Sequence, residues 1–351
     1  MPKIVWLPKL PKKKRTNSML YLETHSLDAN YYFALEEYLM TEGNLQEDLF
    51  MIWQTHLTVM LGNYQSAYTE LNLPALEHDQ VSITRRNTGG GTIFTDQGGW
   101  QYSFICPRRP GKDRHEDIDF QRFMHSIISA LNQLGIPAEM NSRNDLAIHG
   151  KKVSGNAQCF KGNYTLHHGS LLFDSNLAAM ARYLNPAKHK LVSKGIQSVR
   201  DRTGNIKDFC PQDWNALEFK EALVKQIVGD QLNDYPLTPA DEEAIQKLKT
   251  EKFQSWDWIF GRNPQFSLVN EEVFPGGLLR IHCQVTNGII QSCLFEGDFF
   301  SGHDLKAVEH SLQGLPFDKR RVQQHFHQHF SQDLIHHISN QEIISTLFKG
   351  F

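Results

Sequence analysis

Residues 85–94 read Arg85-Arg86-Asn87-Thr88-Gly89-Gly90-Gly91-Thr92-Ile93-Phe94, two cations followed closely by three consecutive glycines. Without Cβ atoms in the way, successive N–H groups can turn into one concavity, a nest that takes phosphate or carboxylate oxygens. A neighbouring arginine adds a planar fork matched to phosphate. From the residues alone, the segment reads equally as a hairpin loop whose glycines serve only the turn. It is not a Walker A loop, because G-x-x-x-x-G-K-[ST] is absent, nor a G-x-G-x-x-G dinucleotide fingerprint.

A second stretch holds Asn144-Asp145-Leu146, Gly150-Lys151-Lys152-Val153-Ser154-Gly155 and Leu166-His167-His168-Gly169-Ser170. A strand-borne lysine can set a compact positive charge against both a carboxylate and an α-phosphate, where negative charge gathers during adenylation. Lys151 and Lys152 fit a solvated hairpin turn as well. Adjacent strand positions face opposite sides, so His167 and His168 make a poor chelate and one of them is expected to pack. Cys159 is the best-placed thiol for a covalent acyl intermediate, set against the plainer reading of a small packed strand residue. His325, His327, His329, His336 and His337 read as a polar helix face, since no cysteine or carboxylate cluster accompanies them to make a metal site.

Strands and helices must hold these groups. Asp28 to Gly43 reads as a capped helix, and Leu49–Trp53, Thr58–Leu61, Val81–Thr84, Ile93–Phe94 and Tyr102–Cys106 as strands around the glycine loop. Phe120, Phe123, Met124, Ile127, Ile128, Leu131 and Leu134 keep helical spacing up to Gly135. Asp145 to Asp174 reads as an antiparallel meander carrying the lysines and histidines. Helices are expected over Trp214–Val228 and from Thr238-Pro239, with a domain junction in the Trp-, Gly- and Pro-containing stretch from Ser255 to Pro264. Beyond it, Leu278–Val285 and Ile289–Glu296 form a hairpin around Asn287-Gly288, with helices from near His303, Asp318 and Gln341.

At 351 residues and 40% hydrophobic content, the chain can bury one large core and a smaller one. A net charge of −3 gives no overall electrostatic case for nucleic acid or an anionic membrane. Five cysteines, odd in number and without a C-x-x-C pair, argue against a disulfide framework or structural zinc. With no apolar run long enough to span a bilayer and no signal peptide, a soluble cytoplasmic protein is expected. Residues 1–18 are basic and read as a disordered extension.

Taken together, the segments resemble the lipoate–protein ligase family, whose motifs read R-R-x-[ST]-G-G-G, N-D-L, G-x-K-[IV]-S-G and H-H-G-[ST]-L-L. The likeness continues through Tyr183-Leu184-Asn185-Pro186 and the segment from Lys194 to Arg200. It reaches Trp256-Asp257-Trp258, Phe260-Gly261, Pro264 and Phe266, and so covers Met19 to the C-terminus. The resemblance implies an α+β fold, a mixed sheet flanked by helices in the biotin/lipoate-ligase, class II synthetase-like manner, with a small C-terminal α+β domain. Residues 19–250 would form the catalytic unit and 262–351 the accessory unit.

It further implies ATP-dependent activation of lipoic acid to lipoyl-AMP, with Mg²⁺ on the phosphates, then transfer to a lysine of an E2 lipoyl domain or the glycine-cleavage H protein, by a monomer. Lys152 would be catalytic and touch both ATP and lipoate. Arg86, Gly91, Thr92, Ile93 and Phe94 would lie at ATP, and Arg86, Gly89 and Gly90 also at lipoate. Asn144, Asp145, His168 and Lys194 would follow as supporting residues, the last on a mobile loop that covers the adenylate. No metal ligand is implied. The alternative is a lipoyl or octanoyl transferase of the same fold, using preformed lipoyl-AMP or a carrier-bound acyl group.

Overall fold

The computed structural model describes residues 19–65, 67–108, 118–184, 202–260, 268–286 and 289–349. Helix α1 (Ala29–Thr41) begins where the Asp28 side chain accepts the N–H of Asn30 at 2.9 Å, satisfying one of the donors a helix start leaves open. It is buried on nearly every side, Glu36 and Glu37 included.

The principal sheet has eight strands in the order β11-β1-β2-β6-β10-β9-β8-β7. They are β1 (Leu20–Tyr21), β2 (Leu49–Trp53), β6 (Trp100–Pro107), β7 (Ala138–Met140), β8 (Asp145–Ile148), β9 (Lys151–Lys161), β10 (Tyr164–Leu171) and β11 (Asn233–Asp234). The β11-β1-β2 edge is parallel and the remaining pairs are antiparallel, so the sheet is mixed.

Strand β2 shows why its sequence is apolar throughout. Leu49, Met51 and Trp53 join the core formed with α1, while Phe50 and Ile52 join the core under α2 (Phe120–Gln133) and α3 (Ala216–Val228). Both faces are covered, so the period-2 alternation of a half-solvated strand disappears. Helix α4 (Pro239–Leu248) and the π turn Lys249–Phe253 pack Ile245 and Phe253 into the α1 core.

A smaller sheet, β4-β3-β5, comprises β3 (Thr58–Leu61), β4 (Ser82–Arg85) and β5 (Ile93–Thr95). Strand β3 runs parallel to β4 and antiparallel to β5, and the glycine loop joins β4 to β5. The short helix α5 (Trp256–Ile259), capped by Ser255, packs Ile259 into the core of this sheet.

The C-terminal segment has its own core under β12 (Leu268–Phe274), β13 (Gly277–Thr286) and β14 (Ile289–Gly297), with α6 (Leu305–Leu312), α7 (Lys319–His329) and α8 (Asn340–Leu347). The expected hairpin is the β13–β14 pair, while Asn287-Gly288 lies outside the described residues. Strand β12 was not expected; its exposed Val269, Glu271, Glu272 and Val273 lack a clean alternation to announce it. No helix among the described residues is long and apolar enough to cross a membrane.

Candidate active site

The glycine loop is held by two buried arginines that differ in task. Arg85, 1% exposed, donates to the carbonyls of Gly62, Gln65, Trp258 and Ile259, tying the loop after β3 to α5. Arg86 donates from Nε to Thr88 Oγ1 at 3.0 Å, from Nη1 to the Met60 carbonyl, and from Nη2 to the carbonyls of Gly89 and Gly91. Burial lowers its pKa to about 10, with the Glu36 charge opposing that shift, so the guanidinium stays charged at neutral pH. The Arg86 fork is thus directed at loop carbonyls, and it shapes the nest from within.

Gly90 has φ +93°, and a Cβ there would meet Phe300 at 2.9 Å and Arg86 Nη2 at 3.1 Å. Its N–H donates to the Phe299 carbonyl at 3.0 Å, so in this conformation one of the three expected nest donors is capped by the C-terminal segment. Gly91 has no heavy atom within 4 Å of its virtual Cβ and faces open space. Thr92 Oγ1 donates to Gln65 Oε1 at 2.7 Å, the same oxygen that accepts the N–H of Gly62.

Across from the loop, β9 carries a bulge: Leu146 pairs with Ser154 but Ala147 pairs with Lys152, leaving Val153 as the extra residue. Val153 enters the core, and the Lys152 ammonium reaches Asp145 Oδ1 at 2.7 Å, with the lysine side chain 41% exposed. Asn144 and Asn156 clasp each other, Asn144 Nδ2 donating to the Asn156 carbonyl at 2.8 Å and Asn156 Nδ2 to the Asn144 carbonyl at 3.1 Å.

The two histidines of β10 part as strand geometry requires. His167 is buried and stacks on Phe123 at 4.7 Å, and burial pushes its pKa well below the usual range. His168 turns the other way, with Nδ1 3.0 Å from Glu36 Oε1 and Nε2 2.7 Å from Thr88 Oγ1.

Both sides face one cavity of about 460 Å³, within the usual range for a small-molecule site. Arg86, Gly90, Gly91, Thr92, Ile93, Phe94, Asn144, Asp145, Lys152 and His168 all line it. Gly89 is not in its wall; a Cβ there would strike the Phe299 carbonyl at 2.2 Å. Lys151 is also absent from the wall and lies against Gly204. Lys194 and the segment around it fall outside the described residues.

Two apolar groups also line the cavity. Phe33, Trp53, Met60 and Ile93 belong to the α1 core, and Phe94, Met180 and Leu184 to the core of the small sheet. Sequence reading placed none of Phe33, Trp53, Met60, Arg143, Asp298 or Phe300 at the site. An apolar residue on a helical or strand stripe looks the same whether it meets core or ligand. Cys159 is not in the wall; burial first, then Glu36 and Glu37, push its thiol up to about 12, which suppresses the thiolate a covalent intermediate needs.

Residues 28–228 match the model of the lipoyl protein ligase A/B catalytic domain. The chain is 33% identical over 307 residues to lipoate-protein ligase LplJ of Bacillus subtilis, covering 86% of this chain and 91% of that one. It belongs to the lipoate–protein ligase family. Residues 263–347 of this ligase match the bacterial lipoate protein ligase C-terminus. It is 33% identical over 316 residues to lipoate–protein ligase 1 of Staphylococcus aureus, covering 89% of this chain and 94% of that one.

Among solved structures, LipL1 of P. falciparum in complex with lipoate superposes with a TM-score of 0.75 at 20% identity, over 93% of this chain and 97% of that one. A lipoate-protein ligase A bound with ATP does so with a TM-score of 0.57 at 21% identity, over 70% of this chain and 98% of that one. At such identities the likeness carries the fold, the biotin/lipoate-ligase architecture.

Proposed function

We propose that this ligase joins lipoate to ATP as lipoyl-AMP, releasing pyrophosphate, and then passes the lipoyl group to a lysine of a lipoyl domain or H protein. The observation that supports it is one cavity with the Lys152 ammonium on one side, an open Gly91 on the other, and an apolar slot of Phe33, Trp53 and Met60. An eight-carbon acid ending in a dithiolane needs such a slot. Its carboxylate and the nucleotide phosphates need fixed positive charge and backbone donors. Residues 19–250 serve as the catalytic unit and 262–351 as the accessory unit.

In the first step a lipoate carboxylate oxygen attacks the α-phosphorus, forming the C–O–P link while the bond from Pα to the bridging oxygen breaks and pyrophosphate leaves. A carboxylate is already a nucleophile, so no base is needed. Lys152 lies where negative charge builds, and positioning with charge stabilisation supplies the rate. In the second step a neutral acceptor amine attacks the acyl carbon, the bond from that carbon to the AMP oxygen breaks, and AMP departs while the nitrogen gives up one proton to water. Mg²⁺ would come bound to the nucleotide and offset its phosphate charge; among the described residues there is no group of three or more His, Cys, Asp or Glu that could hold a metal. With Asp145 and Asp298 on the cavity wall, phosphate oxygens would be its main ligands.

The test is ATP–pyrophosphate exchange with lipoate, octanoate or biotin as the acid. Exchange with lipoate and none with biotin is the expected result. Absence of exchange, with transfer from added lipoyl-AMP intact, would replace the ligase reading with a transferase.

A further inference from the structure

The consecutive acids Glu36 and Glu37 on α1 are 0% and 7% exposed, and neither lines the cavity. Burying two carboxylates side by side in a helix is unfavourable for folding alone, and apolar residues would fill the space at lower cost. Each carboxylate, however, ends a chain of contacts that leads to the glycine loop.

Glu36 accepts from Ser103 Oγ at 2.6 Å and from His168 Nδ1 at 3.0 Å. In the tautomer whose Nδ1–H is given to Glu36, His168 Nε2 accepts from the Thr88 hydroxyl at 2.7 Å. Thr88 Oγ1 in turn accepts Arg86 Nε–H at 3.0 Å, and Arg86 Nη2 holds the carbonyls of Gly89 and Gly91. The relay thus runs unbroken from the Glu36 carboxylate to the Arg86 guanidinium.

Successive helix residues point about 100° apart, so Glu37 takes a second route. Its Oε2 accepts from Lys252 Nζ at 2.5 Å and its Oε1 from Lys161 Nζ at 2.6 Å. Lys252 also donates to Asn87 Oδ1 at 3.1 Å and lies 4.1 Å from the Trp258 ring. Asn87 and Thr88, the two residues before the triglycine, are therefore each held by a different member of the acid pair.

We propose that Glu36 and Glu37 are positioning residues for adenylation, a two-armed brace that sets Asn87 and Thr88 and, through Arg86, the geometry of the nest. This rests on the ligase reading above. It predicts a kinetic split weighted towards ATP, because the relay ends on the carbonyls of Gly89 and Gly91, whereas it meets the apolar slot only at its margin, at the Met60 carbonyl through Arg86 and at the Trp53 indole through Ser103.

The test is steady-state exchange kinetics on the full chain. Glu36→Gln keeps the shape of the side chain and removes its charge; Thr88→Val removes the hydroxyl, and Thr88→Ser keeps it. Expected are a fall in kcat of about 10- to 100-fold with a raised KM for ATP in Glu36→Gln and Thr88→Val, the KM for lipoate staying within about twofold, and near-normal rates in Thr88→Ser. The double variant Glu36→Gln/Thr88→Val should be no worse than the more severe single variant, since both cut one chain, whereas Glu37→Gln should multiply the defect. If Glu36→Gln fails to fold, the Thr88 pair carries the test alone.

Wild-type kinetics in Thr88→Val, an equal rise in both KM values, or multiplicative losses for Glu36 and Thr88 would overturn the proposal. A wild-type enzyme without lipoate-dependent exchange would instead fail the ligase reading on which it rests.

Discussion

The N–H of Gly90 donates to the carbonyl of Phe299 at 3.0 Å, so the C-terminal segment is bonded directly to the loop expected to hold phosphate. The same segment lays Phe300 against Gly90, stacks Phe299 on Tyr64 at 4.9 Å, and gives the N–H of Gly297 to the Tyr64 carbonyl at 2.8 Å. Loop and C-terminal segment therefore share one junction, and substitutions there should separate packing from binding.

Gly90→Ala and Gly91→Ala are expected to fail differently. At Gly90 the positive φ and the Phe300 ring at 2.9 Å make a methyl unfavourable in the fold itself, by about 1–2 kcal/mol from backbone strain alone. At Gly91 the methyl meets no atom within 4 Å and projects into the cavity. Thermal melts should show a lowered midpoint for the first variant and an unchanged one for the second, whose KM for ATP should rise at least severalfold.

Phe300→Ala removes a ring that is 1% exposed and packs edge-on against Phe120 at 5.1 Å, with the Arg143 guanidinium 5.3 Å from its centroid. Loss of a buried phenyl costs about 3–5 kcal/mol. Urea denaturation should show that loss, and a value below about 1 kcal/mol would mean that the junction is not packed as described.

Cys159 tests the competing covalent chemistry. With its thiol pushed up to about 12 and its side chain outside the cavity wall, Cys159→Ala should keep exchange and transfer within about twofold of wild type. A variant that retained exchange but lost transfer would point to a thioester route.

Acid stability should depend on Glu296. Burial opposes its ionisation, but His282 at 2.5 Å and Arg280 at 2.7 Å outweigh it and hold the carboxyl below its ordinary value of 4.5. The folded state thus binds this proton less readily than the unfolded chain. Its contribution is complete above the unfolded value and is lost as pH falls through the lowered folded one. Glu296→Gln should accordingly flatten the fall in stability below about pH 5, measured by denaturation across pH.

Much of this architecture was legible in the chain because local chemistry and burial agree. Asp28, Thr238 and Asp318 each cap the helix expected to follow them, accepting N–H groups at 2.9, 3.2 and 2.9 Å. Of the two neighbouring lysines, the cavity wall includes Lys152 and not Lys151. What stayed hidden depends on distant pairing. Register alone reveals the bulge at Val153 that turns Lys152 toward Asp145. The burial of Glu36 and Glu37 depends on partners far along the chain, Ser103 and His168 of the principal sheet for the first and Lys161 and Lys252 for the second. Arg86 reads as a free phosphate fork until its loop carbonyls are seen.

The most direct measurement is lipoate-dependent ATP–pyrophosphate exchange by Lys152→Ala. The side chain is 41% exposed and its ion pair is with Asp145, so the fold should survive with an unchanged melting midpoint. Loss of a fixed cation from the centre of charge development should slow exchange at least about 100-fold, near 3 kcal/mol. Exchange within a fewfold of wild type would show that this ammonium group does not stabilise the forming adenylate.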